Sequence, residues 1–316
     1  MGTFPAEMRP SESDPPPAPV LAIASNKGGV GKTTVAANLA IYLRALREDL
    51  PVLLVSLDDQ DVVDRMFALG PRRPGEGHLK HGWAERNFGR VIQLGEYGVH
   101  YVPSPPDTAL LKARAEDPRT LQRILACTGW DGVVILDTKS DFEGLTLNAL
   151  HAADRVIIPI ADRASLQEAR KSFELLEKYR LGSDRARVLF TLVDRRTCGS
   201  EGTPLIHDLQ AEVRSLGWSS YKTTLSRSPK VEMLNSIGRK PLSILQHARG
   251  TAVHKQLFKL TQEILIDLGL ETTASHSIRA AVAAGATSSE AMRRSPEPET
   301  LDSWTDGLLT AWRSRL

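Results

Sequence analysis

The chain has 316 residues, 41% of them hydrophobic and 25% charged. That is the composition of an ordinary globular protein, and it excludes collagenous, fibrous and wholly disordered classes. Forty Lys and Arg against 38 Asp and Glu give a formal charge of +2, so any attraction to a polyanion must come from a local patch rather than from the total. Two cysteines, Cys127 and Cys198, lie far apart and build neither a disulfide framework nor a metal knuckle. Each is expected as a buried small hydrophobe. No window holds about 18 consecutive apolar residues, so a soluble, cytoplasmic protein is expected.

In chain order, residues 1–19 are rich in Pro, Ser and acid, which predicts a disordered tail. Short aliphatic runs follow at 20–25, 51–57, 99–103, 132–137, 155–160 and 187–193. Helix-length amphipathic stretches lie at 32–47, 143–152, 164–180, 203–216 and 251–268. Continuous apolar strands imply burial on both faces, so the expected fold is α/β: a doubly wound, mostly parallel sheet flanked by helices, spanning 20–270. Ligands are then expected at the carboxyl ends of the strands. Residues 271–298 read as a flexible linker. From 299 to 316, Leu301, Trp304, Leu308, Trp312 and Leu316 recur at helical spacing, predicting an amphipathic C-terminal helix.

Directly after the first strand stands Ser25-Asn26-Lys27-Gly28-Gly29-Val30-Gly31-Lys32-Thr33-Thr34, followed at once by a helix. Glycines let successive N–H groups curl around phosphate oxygens, and the helix start adds positive potential. This context predicts ATP binding by Lys27, Gly28, Gly29, Val30, Gly31, Lys32, Thr33 and Thr34, with Lys32 reaching the β and γ phosphates and the Thr33 hydroxyl on Mg²⁺. Trp130-Asp131-Gly132-Val133-Val134-Ile135-Leu136-Asp137 is an apolar strand ending in a carboxylate. Asp137 is expected to hold Mg²⁺ through water. His78 and His81 stand at a spacing compatible with a metal, but with no further ligand near them in sequence they read as loop histidines.

The K-G-G-x-G-K-T signature at 27–33 resembles the deviant Walker A ATPases of the ParA/MinD family, and the segment Leu145 to Ile160 looks very like ParA proteins in particular. The resemblance implies that Lys27 crosses a dimer interface to the partner's ATP. It implies that Asp58, matching the second aspartate of D-x-D-P-Q, positions the attacking water. Asp194 and Arg227 lie in segments that resemble the family's adenine-bordering loops, with a surface salt bridge as the alternative for both. Three departures stand out. Ser56 and Asp59 replace the usual Asp and Pro. Asp137-Thr138-Lys139-Ser140-Asp141 replaces D-T-P-P-G. Slow hydrolysis is therefore an open alternative.

The resemblance further implies a slow, partner-stimulated ATPase that forms a homodimer on ATP, binds non-specific DNA, associates with the nucleoid and answers to a ParB-like or other cargo-bound activator. Between 163 and 196 nine basic residues (Arg163, Arg170, Lys171, Lys178, Arg180, Arg185, Arg187, Arg195 and Arg196) face five acidic ones, and Lys222, Arg227, Lys230, Arg239 and Lys240 extend the trend, the expected footprint for DNA. A MinD-like membrane ATPase using the C-terminal helix is the alternative. That helix carries a net charge of −1, which disfavours anionic lipid. A metabolic enzyme of the same superfamily would need insertions or ligating cysteines that the chain lacks.

Overall fold

A computed structural model describes residues 18–58, 61–71, 75–105, 115–194, 196–197, 204–235 and 240–270. The expected N-terminal tail up to residue 17, the linker and the C-terminal helix lie outside these residues, as do Asp59, Arg195, Cys198 and Arg239.

Seven strands, β1 (Val20–Ile23), β2 (Val52–Ser56), β3 (Gln93–Leu94), β4 (His100–Val102), β5 (Val133–Asp137), β6 (Arg155–Ile160) and β7 (Ala186–Phe190), form one sheet in the order β3-β4-β2-β5-β1-β6-β7. All pairs are parallel except the edge pair β3–β4. The chain leaves β1 toward β2 on one side and later crosses past it to β6 on the other, so the loop after β1 opens at the point where the winding reverses, the usual ligand crevice of such sheets.

Strand side chains alternate between two cores. Val20, Ala22, Leu53, Val55, Val134 and Leu136 face one layer, built from α3 (Leu79–Glu85), α4 (Thr120–Thr128), α5 (Gly144–Ala152), α6 (Arg163–Lys178) and α7 (Leu205–Ser215). Leu21, Ile23, Val52, Leu54, Val133 and Ile135 face the other, covered by α1 (Lys32–Leu46), α2 (Val62–Phe67), α9 (Ile244–His247) and α10 (Ala252–Asp267), with α8 (Pro229–Leu234) at its margin. Burial on both faces explains why these strands read as unbroken apolar runs.

The six expected strands occur close to their expected limits, and β7 differs instructively. The apolar run to 193 leaves the sheet at Phe190 because Leu192 takes a left-handed conformation (φ 52°) and Val193 bridges instead to Ser226. The short α2, α3 and β3 carry little periodicity and were not expected. Cys127 departs from its expected burial: it sits near the end of α4 and is exposed. His78 and His81 cap α3, with the His78 N–H donating to His81 Nδ1 at 3.2 Å. No group of three or more metal-ligating side chains occurs among the described residues, and no helix there is long and apolar enough to cross a membrane.

Candidate functional site

β1 ends at Ile23 and α1 begins at Lys32, and the intervening loop turns on Gly29 (φ 75°) and Gly31 (φ 89°). Both lie in the left-handed region that side chains disfavour, and no heavy atom lies within 4 Å of where their Cβ would stand. Gly31 caps α1 without any side-chain hydrogen bond, and the first turn holds no acid. The first N–H groups of a 15-residue helix thus face an open hollow with a partial positive charge.

Lys32 is only 6% exposed. Its Nζ donates to the Lys27 carbonyl at 3.1 Å and to Ser140 Oγ at 2.6 Å. Burial lowers its pKa, and the charges of Asp137, Asp58 and Asp141 work against that shift. Asp58, half-buried just beyond β2, therefore lies within electrostatic reach of the loop lysine.

Asp137 closes β5 in register with Ile23 of β1 and Ser56 of β2. It is fully buried, and burial raises its carboxyl to about 7, opposed by the nearby Thr33 hydroxyl, the Lys32 charge and a bond from Ser56, and reinforced by the Asp58 charge. Ser56 Oγ donates to Oδ2 at 3.3 Å, while Oδ1 has no hydrogen-bond partner. An unpartnered buried carboxylate oxygen beside a threonine hydroxyl and an uncapped helix start fits the hydration shell of a hard divalent cation. Ser56, in place of a second acid, brings a hydrogen-bond donor rather than a further negative charge to Asp137.

Lys27 points elsewhere. Its Nζ reaches both carboxylate oxygens of Asp162, the N-cap of α6, and Asn26 Nδ2 donates to Glu168 Oε2 at 2.7 Å on the same helix. Gly28 packs beneath Ser140, whose Oγ would lie 3.8 Å from a Cβ there.

From the loop a cavity of about 690 Å³ extends between the ends of β6 and β7 and helix α8, lined by Gly31, Thr34, Leu192, Asp194, Arg227 and Asn235 among others. Asp194 and Arg227 both line it, and both also sit in ion pairs. Arg196 bonds the Asp194 carboxylate at 3.0 Å and holds its pKa down near 2, and Arg227 Nε donates to Glu232 at 2.8 Å. Thr191 ties the two ends of the site together: its Oγ1 donates to the Val30 carbonyl of the loop at 2.9 Å, in a buried bond.

Sequence reasoning missed Thr191, Asp162 and Ser140. A polar residue directly after an apolar strand was the available signal for the first, and an Asp followed by Ser at the cap spacing for the second.

The basic stretch is largely neutralised. Arg163 and Arg170 pair with Asp208 and Glu212 of α7, Lys171 with Glu168, Arg187 with Asp267 and Arg196 with Asp194. Exposed Lys178, Arg180, Lys222, Lys230, Lys255 and Lys259 have no carboxylate partner among the described residues.

Similarity to known proteins follows the same outline. Residues 21–235 match the family described as the CobQ/CobB/MinD/ParA nucleotide binding domain. The chain is 34% identical over 254 residues to the chromosome-partitioning ATPase Soj of Thermus thermophilus, covering 78% of this chain and 94% of that protein. It is 28% identical over 264 residues to the chromosome partitioning protein ParA of Caulobacter vibrioides, covering 79% and 94%. In fold it resembles a cobyrinic acid a,c-diamide synthase from Mycobacterium smegmatis solved with ADP and magnesium, at a TM-score of 0.59 and 22% identity, over 81% of this chain and 99% of that one. A glycine loop opening at the reversal of a parallel sheet, a buried lysine at the start of α1 and a buried carboxylate at the end of β5 thus meet in a chain that belongs to the CobQ/CobB/MinD/ParA nucleotide-binding family.

Proposed function

We propose that this protein is a ParA-type switch: it binds ATP with Mg²⁺, dimerises in that state, holds non-specific DNA as a dimer, and hydrolyses ATP slowly until a cargo-bound partner stimulates it. The observation that carries this reading is the meeting of the uncapped start of α1, Lys32 and Thr33 with the unpartnered Oδ1 of Asp137.

In this reading the backbone N–H groups of Gly28 to Thr34 cradle the phosphates, and Lys32 exchanges the Lys27 carbonyl for phosphate oxygens. Thr33 and Asp137 hold Mg²⁺, Asp137 through water, and the ion supplies charge neutralisation on the phosphates. Asp58 accepts a hydrogen bond from the attacking water and aligns it. The water oxygen bonds to the γ phosphorus as the bond to the β–γ bridging oxygen breaks, giving ADP and phosphate. The base lies in the cavity between Asp194 and Arg227, and Lys27 reaches the partner's phosphates.

For DNA, the support lies in the exposed cations without carboxylate partners, with Lys255 and Lys259 one turn apart on α10. A dimer doubles the phosphates contacted, so dimerisation alone converts weak, salt-sensitive binding into useful binding. Co-sedimentation of the Asp58→Ala protein with duplex DNA, with ATP, ADP or neither, tests the switch. Pelleting only with ATP is the expected result. Equal pelleting in all three conditions would overturn it, and pelleting with anionic vesicles instead would favour a membrane-positioning ATPase.

A further inference from the structure

We propose that Ser140 is a γ-phosphate-contacting residue: its hydroxyl, which meets Lys32 here, donates to the terminal phosphate of a bound nucleoside triphosphate and lets the site distinguish triphosphate from diphosphate. The inference rests on the phosphate-loop reading above and adds a residue to it.

Three observations carry it. First, Ser140 Oγ is 2.6 Å from Lys32 Nζ. An ammonium has only protons to give, so the serine oxygen is the acceptor and its own proton is left over. No acceptor for that proton occurs among the described residues. Second, the segment is pinned on both sides of Ser140. Thr138 Oγ1 donates to the Ile23 carbonyl at 2.9 Å, and the Asp141 carboxylate accepts from Thr146 Oγ1 and from the Glu143 N–H, both at 3.1 Å. Ser140 therefore stays over Gly28 and the loop mouth rather than drifting into solvent. Third, the oxygens of one phosphoryl group are spaced to take a proton from the ammonium and another from a hydroxyl bonded to that same nitrogen. Such a two-point contact is charge-assisted on both arms. A diphosphate that ends short of Ser140 leaves the second arm unused, so the contact separates the two nucleotides rather than tightening both.

The test is direct binding, by calorimetry on the full-length chain with Mg²⁺, of ADP and of a non-hydrolysable ATP analogue. For Ser140→Ala, ADP affinity is expected to stay within about twofold while the analogue weakens about tenfold, the range for one hydrogen bond to a charged group. Ser140→Thr, which keeps the hydroxyl, is expected to restore the ratio. Parallel losses for both nucleotides would mean that Ser140 only positions Lys32 and would overturn the proposal, as would no change for either. Should Ser140→Ala fold poorly, Ser140→Cys keeps the volume with a weaker donor and reads the same ratio. Failure of the unaltered protein to bind either nucleotide would instead defeat the phosphate-loop reading itself.

Discussion

Lys27 and Asp162, 135 positions apart in the chain, meet with the lysine Nζ at 2.7 and 2.6 Å from the two carboxylate oxygens. The signature lysine is thus occupied within its own subunit, and a role across a dimer interface requires this pair to open. Asp162 also accepts from the Ser165 N–H at 2.8 Å as the cap of α6, so Asp162→Asn is the informative change: asparagine caps as well as aspartate but carries no charge. For a partly exposed pair, the release is worth about two- to fivefold in ATP-dependent self-association, measurable by light scattering. Unchanged or weaker association would show that the pair does not restrain the lysine.

The same pair sets a pH expectation. Burial would raise the Asp162 carboxyl, but the bonds from Lys27 and Ser165 prevail and hold it below its ordinary value. A carboxyl depressed in the folded state contributes above its unfolded pKa of about 3.9 and loses that contribution only as pH falls through the folded value. The clasp therefore stays closed across the neutral range. The unaltered protein and Asp162→Asn are therefore expected to show the same shape of pH profile for self-association with ATP between pH 6 and 8 in the same light-scattering assay, any slope there belonging to other groups, Asp137 at about 7 among them.

Lys32→Ala and Asp58→Ala separate binding from turnover. Losing the buried ammonium is expected to weaken ATP by more than about tenfold in calorimetry. Losing Asp58 is expected to leave affinity nearly intact and to slow phosphate release about 100-fold, the cost of a misaligned nucleophile. Normal turnover in Asp58→Ala would assign water positioning to another group.

Charge on the surface makes a contrast between two pairs of residues. Lys255→Ala with Lys259→Ala is expected to reduce the slope of log affinity for DNA against log salt by about 0.9 per lost contact. Arg170→Ala removes a cation already bonded to Glu212 at 2.8 Å and is expected to leave the slope unchanged. The reverse pattern would move the DNA surface to α6.

Gly132→Ala tests the packing that brings Asp137 to the site. A Cβ at Gly132 would overlap the Pro51 carbonyl at the start of β2. The backbone must shift just where β5 enters the sheet, at a cost of about 2 kcal/mol or more in urea unfolding. Gly70→Ala, with nothing within 4 Å of its Cβ position, is the control and is expected to change stability by less than about 0.5 kcal/mol.

The parallel core and the phosphate loop were legible because their chemistry is local. Aliphatic runs such as Val133 to Leu136 name buried strands, and glycines before Lys32 name a turn at a helix start. What was hidden depends on pairs distant in sequence. Asn26 with Glu168, Lys27 with Asp162 and Lys32 with Ser140 join segments more than 100 residues apart. The pairing within the basic stretch was hidden for the same reason: Arg163 and Arg170 are surplus charge in a linear count, but α7 supplies Asp208 and Glu212 to meet them.

The buried bond from Thr191 to the Val30 carbonyl has a thermodynamic consequence. It fastens the phosphate loop to the turn that bears Leu192 and borders the base side of the cavity. Ordering either end then lowers the entropic cost of ordering the other. Adenosine and inorganic phosphate, offered as separate fragments, should therefore bind with positive coupling, each by the same factor in the presence of the other. Cutting the tie with Thr191→Val should make the two halves of the site independent.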